Sequence, residues 1–294
     1  MKRSVLAAAV ACLAGLALLL AGLLASARQA VAPAGAPFAL PVWGLVVGGL
    51  ALLAGGALGL AWGALARLRR YYNAPLTIVA VTLGAGALSG LVIAPLLLLD
   101  PTLRRLSVAT FFLAGVVLYA LLLGTVYGLV IRPGYLSWRA MGLSAADVRR
   151  TAPWWPLAFL GLLAIAAGSE WVLQQLGVRQ TQLDALQWLR EVPAWQYLLA
   201  AVLAAIVAPI VEEIYFRGWV FRALWERYGP WAAYLGSSAL FAAVHFNVQA
   251  LLPILAMGLY LAYLYQRTGS IIPGIVAHAC NNALAFAALY FGRP

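Results

Sequence analysis

The chain has 294 residues, 65% of them hydrophobic and 9% charged, with a mean hydropathy of +0.94 and a formal net charge of +11. Soluble domains carry roughly 25% charged residues, so an ordinary soluble fold is excluded. The apolar runs are continuous rather than alternating, which excludes a membrane β-barrel. What remains is an all-α, polytopic integral membrane bundle, with the lipid bilayer as its first partner. The basic excess is spread over short loops as membrane topology requires. No basic stripe alternates with stacking aromatics, so nucleic acid is not an expected partner. Cys12 and Cys280 both sit in apolar segments and form neither a disulfide framework nor a metal-ligand spacing.

Apolar runs of about 20 residues suit a hydrocarbon core about 30 Å thick. In chain order they predict about nine transmembrane helices, near 4–26, 38–64, 77–99, 107–131, 154–176, 196–227, 231–247, 249–266 and 271–290. The first is read as an uncleaved helix. The alternative is a signal peptide with Met1-Lys2-Arg3 in front and Ala25-Ser26-Ala27 as the cleavage site. With the N-terminus in the cytoplasm, 13 of the 19 basic residues fall on the cytoplasmic side. The six on the other side are Arg28, Arg104, Arg105, Arg179, Arg190 and Arg293. This bias favours N-in, C-out; a prokaryotic cytoplasmic (inner) membrane is the expected location.

The loop from Arg132 to Pro153 holds a helix-start pattern at Leu143–Asp147. It divides the chain into N-terminal helices of unassigned role, 1–150, and a functional unit, 151–294. The loop from Gly177 to Ala194, with Asp184, Trp188 and Glu191, reads as a short amphipathic helix at the outer surface.

Chemistry concentrates in the last four helices. In Pro209-Ile-Val-Glu212-Glu213-Ile-Tyr-Phe-Arg217-Gly, two carboxylates and a guanidinium lie inside an apolar stretch. An ionised group at the bilayer centre costs at least about 2.5–3.5 kcal/mol on insertion scales, so such groups pair, face a cavity or react. Glu213 and Arg217 are four apart on one helical face and can pair. Glu212 points about 100° away and is left free to take a proton, although a plain charge cluster at a helix end has the same spacing. Pro209 removes a backbone hydrogen bond one turn earlier, opening space for water or simply kinking the helix.

Gly229-Pro230 predicts a turn between antiparallel helices. Glu212 lies 17 residues before Gly229 and His245 lies 15 after Pro230. At about 1.5 Å per residue the two climb roughly 25 and 23 Å, to a common depth where together they can polarise a water. His278 and Asn282 share one face of the last helix and form a donor pair suited to an oxyanion. Asn281 is off that face.

Rival chemistries are poorly served. Gly236-Ser237-Ser238-Ala239 is a loose serine decoy, and Asp100, Asp147 and Asp184 sit in loops rather than forming a buried dyad. Glu170 lies beside Trp171 at a helix end. A non-enzymatic scaffold, chaperone or transporter with the same polar residues is the alternative from another class.

Three segments together carry a family resemblance. Glu212-Glu213-Ile-Tyr-Phe-Arg217 resembles the EExxxR motif of the CPBP family, the CAAX-protease and bacteriocin-processing membrane proteins of Rce1 type. Phe241-Ala-Ala-Val-His245 resembles its FxxxH motif, and His278-Ala-Cys-Asn-Asn282 its HxxxN motif. The resemblance covers about 195–290. It implies a glutamate-type intramembrane endopeptidase acting on peptide or membrane-anchored protein substrates. Glu212 with His245 would activate water, His278 and Asn282 would stabilise the oxyanion, and Glu213 with Arg217 would support the site. No cofactor is implied. In an alternative reading of the family the Glu and His residues bind Zn2+, although HExxH is missing here. The resemblance names neither the substrate nor an oligomeric state.

Overall fold

A computed structural model describes residues 68–99, 108–177, 184–245, 247 and 250–292, together with isolated helical positions between 7 and 21. Apart from those positions, the first two predicted spans lie outside the described residues, as does the choice between anchor and signal peptide. The described residues are helical and turn structure, without a strand. They fall into two compact units, one of Tyr71–Ala85 and Val108–Pro294, the other of Met1–Arg70 and Gly86–Ser107.

Helix α1 runs Pro75–Leu99. Helix α2, Val108–Val126, continues through a π turn, Tyr127–Ile131. Helix α3, Ala145–Thr151, begins where the sequence predicts: the Ser144 hydroxyl accepts from the Asp147 N–H, a side-chain N-cap. A 3-10 turn, Ala152–Trp154, links it to α4, Trp155–Gln175. The predicted amphipathic element is a 3-10 helix, Asp184–Glu191. Its Leu189 is buried in a cluster with Val108, Tyr197 and Phe286.

Helix α5 is the longest, Ala194–Tyr228. Two π segments interrupt it, Leu203–Val207 and Glu213–Phe221. Gly229, at φ +83°, turns the chain into α6, Pro230–Ala243. Helix α7 spans Leu251–Thr268 and α8 spans Ile272–Phe291.

Four helices among the described residues are long and apolar enough to cross a membrane: Phe111–Ile131, Ala145–Gln175, Ala194–Tyr228 and Ile272–Phe291. The protein is therefore an integral membrane protein, but the expected count of about nine spans is not reached among these residues. The predicted spans at 231–247 and 249–266 are helices of 14 and 18 residues. At 1.5 Å per residue α6 is only about 21 Å long, short of the hydrocarbon core.

Helix α6 packs along α7 and along the last third of α5, while α8 packs along α4 and the Leu203–Val207 turn. The Glu213–Phe221 segment is buried along its whole length. The part of α5 that carries Glu213 and Arg217 is thus its most enclosed.

Candidate active site

Glu213 and Arg217 have no solvent exposure. The pairing expected from their spacing is present: Arg217 Nη1 donates to Glu213 Oε1 at 2.9 Å. Arg217 Nη2 donates to the Gly258 carbonyl at 2.9 Å, and the guanidinium lies 4.5 Å from the Phe241 ring centroid. A buried charge survives only when its hydrogen-bonding groups and its counter-ion are both supplied. Here the carboxylate, a backbone carbonyl and an aromatic face supply much of this, while Arg217 Nε and Glu213 Oε2 have no hydrogen-bond partner among the described residues. Glycine at 274 makes room for the carboxylate: a Cβ there would lie 2.8 Å from Glu213 Oε2.

His278, on α8 and almost fully buried, bridges the two glutamates. Its Nδ1 is 3.5 Å from Glu213 Oε1 and its Nε2 is 3.9 Å from Glu212 Oε2. Glu212 is less enclosed, with 13% of its side chain exposed. Glu213 is thus the enclosed carboxylate of the two and Glu212 the less enclosed one.

His245 follows the end of α6, and its side chain helps to end that helix. In a continuing helix its backbone N–H would take the Phe241 carbonyl. Its own Nδ1 takes that carbonyl instead, at 2.7 Å, and the N–H is diverted to Ala242 O at 3.3 Å. Side chains that bond nearby backbone in this way compete with the helical ladder. A carbonyl only accepts, so Nδ1 is the donor of this bond and Nε2 is the ring nitrogen left for other partners.

The common depth of Glu212 and His245 across the α5–α6 turn is supported one step lower. Phe216 and Arg217 both pack on Phe241, so one turn further from Gly229 brings the glutamates and His245 to the same level. Among the described residues no hydrogen bond or ion pair joins Glu212 to His245 directly. Both imidazoles pack edge-on against Phe241, with ring centroids 4.8 and 5.9 Å away.

Asn282 donates its amide to the Ala204 carbonyl at 2.9 Å. The reason lies in α5. In the π turn Ala208 N–H bonds Leu203 O, so the next carbonyl, that of Ala204, falls opposite Pro209, which has no N–H to give. Asn282 supplies the missing donor, and its second amide hydrogen stays available. Asn281 reaches only its neighbour, at 3.5 Å.

The structure thus joins Glu212, Glu213, Arg217 and His278 in direct contact. His245 connects to them through Phe241, and Asn282 is secured to the π turn. Sequence reasoning missed Tyr119, whose hydroxyl donates to Glu212 Oε1 at 3.4 Å, and the close approaches at Gly258 and Gly274. A tyrosine in an apolar helix is a faint signal, and the glycines gave none.

As a zinc site the donors fit poorly. No group of three or more His, Cys, Asp or Glu among the described residues is placed to hold a metal ion, and Glu213 Oε1 is already engaged by Arg217. The serine decoy is also occupied in part, since Ser237 bonds the Ala233 carbonyl of its own helix.

Residues 193–284 match the family model described as type II CAAX prenyl endopeptidase Rce1-like. That segment contains all six predicted site residues, and the resemblance read from the three motifs is borne out. Among curated proteins the chain is similar to "Putative membrane peptidase YdiL" of Bacillus subtilis (strain 168). The two are 34% identical over 176 residues, which is 58% of this chain and 66% of that protein. The chain thus spans just under two-thirds of that relative's length. No solved structure matches it.

Proposed function

We propose that this Rce1-like segment makes the chain an intramembrane endopeptidase that hydrolyses peptide bonds in peptide or membrane-anchored protein substrates. The observation that carries the reading is the enclosed Glu213–Arg217 pair with His278 set between its carboxylate and that of Glu212. A charge cluster serving only to end a helix has no need of full burial, nor of an imidazole from a second helix.

In this reading a water occupies the space between Glu212 and the free Nε2 of His245. Glu212 takes a proton from the water as its oxygen attacks the scissile carbonyl carbon, and His245 orients the attacking oxygen. The C–O bond forms and the carbonyl electron pair moves onto oxygen. His278 and the spare amide hydrogen of Asn282 stabilise that oxyanion. The intermediate then collapses, the C–N bond breaks, and the leaving amine receives the proton held by Glu212. No covalent enzyme intermediate is formed. Glu213 and Arg217 hold the geometry, and no metal enters a step. We place the N-terminus in the cytoplasm, on the distribution of basic residues, and the protein in a prokaryotic cytoplasmic (inner) membrane.

The test is cleavage by the purified full chain in lipid nanodiscs, comparing wild type with Glu212→Gln and His245→Ala. The expected result is loss of cleavage in both with folding retained. Retention of full cleavage by Glu212→Gln overturns the mechanism. Membrane proteomics of wild type against Glu212→Ala then identifies substrates as uncleaved proteins that accumulate. A scaffold or transporter would keep its cellular phenotype in both variants.

A further inference from the structure

The six residues assigned above all lie within 193–284, yet Glu212 is also held from outside that segment. Tyr119 is on α2, half-buried, and its hydroxyl donates to Glu212 Oε1 at 3.4 Å. The other carboxylate oxygen, Oε2, is the one that faces His278. The two oxygens therefore have different surroundings: one is tethered to a phenol, the other points toward the imidazole.

A second feature of α2 brings the phenol within reach. Gly115 lies one helical turn before Tyr119, on the same face. A Cβ at Gly115 would lie 2.6 Å from the Leu203 side chain of α5, so a larger residue there would have to push that side chain aside where the two helices meet. Helix α2 packs against both the Ala194–Val202 and the Ala208–Glu212 parts of α5. Gly115 sets the approach, and one turn on, Tyr119 meets Glu212.

We propose that Tyr119 is a positioning residue for the hydrolytic reaction: it holds Glu212 Oε1 so that Oε2 is directed at the attacking water, which makes α2 part of the active site. The inference rests on Glu212 acting as the base. Tyr119 touches the carboxylate and not the substrate, so its loss acts on turnover and leaves substrate affinity alone.

The experiment uses the full chain in nanodiscs and a quenched fluorogenic peptide with a lipid-anchored C-terminus. Tyr119→Phe keeps the ring and removes the hydroxyl. The expected result is a fall in kcat of roughly three- to tenfold, the range of one hydrogen bond, with KM and Tm unchanged. Difference infrared spectroscopy gives a readout independent of cleavage. The Glu212 carboxylate stretch, assigned by its disappearance in Glu212→Gln, is expected to shift in Tyr119→Phe. Gly115→Val, which wedges α2 from α5 with Tyr119 intact, is expected to shift the same band. An unchanged kcat in Tyr119→Phe, a loss expressed in KM, or an unmoved carboxylate band overturns the inference. Full cleavage by Glu212→Gln overturns instead the function proposed above, and it appears in a protein whose Tyr119 is untouched.

Discussion

Asn282 on the last helix stands in for the backbone N–H that Pro209 lacks: it donates to the Ala204 carbonyl at 2.9 Å, within the π turn that precedes the two glutamates. This ties the register of α5 to α8. Asn282→Ala is expected to strand a carbonyl and cost about 1–3 kcal/mol. In the double variant Pro209→Ala/Asn282→Ala the new N–H at 209 faces Ala204 O, so most of that stability is expected to return. Denaturation of all four proteins in detergent measures the coupling. Strict additivity would show that the two residues act independently.

Glu213 and Arg217 depend on each other. Arg217→Ala leaves a carboxylate buried without its partner, and breaking a buried pair costs about 3–5 kcal/mol. Arg217→Met combined with Glu213→Gln removes both charges and is expected to recover much of the lost stability while remaining inactive. Thermal melts and cleavage assays separate the two outcomes. A melt of Arg217→Ala equal to that of wild type would refute the pairing.

Gly274→Ala probes the wall behind the site. Its methyl would meet Glu213 Oε2 at 2.8 Å. Overpacking of this kind costs about 1–3 kcal/mol, and the displaced carboxylate would carry Arg217 and His278 with it. Cleavage is expected to fall far more than Tm does. Wild-type turnover in this variant would mean that the position of Glu213 is not critical.

Glu212→Gln keeps shape and removes the base. General-base catalysis contributes about 10²- to 10⁴-fold, so turnover is expected to fall by at least two orders of magnitude with the melt unchanged. Chelation is the companion control. Treatment with EDTA is expected to leave wild-type cleavage intact, whereas loss of cleavage restored by Zn2+ would establish a metal requirement.

Much of the site was legible in the sequence because it depends on helical spacing. Glu213 with Arg217, and His278 with Asn282, are four apart and share a helical face, and the Gly229-Pro230 turn fixes which levels of α5 and α6 meet. The N-cap at Ser144 was legible for the same local reason. The end of α6 was not. Val244, His245 and Phe246 continue an apolar pattern with no glycine or proline, and the helix stops because an imidazole claims a backbone carbonyl. The π segments were hidden too, since i→i+5 winding has no composition of its own. Tyr119 lies 93 residues from its partner in the chain, and only packing brings them together.

The brevity of α6 has a consequence for access. With the Gly229 turn taken at the membrane surface, a helix about 21 Å long ends inside the hydrocarbon, and the chain at Val244 and His245 lies at that depth. Irregular backbone there must be shielded by protein or bathed by water. The end of α6 at His245 must therefore face packed protein or water rather than lipid, which is where the mechanism proposed above needs its attacking water.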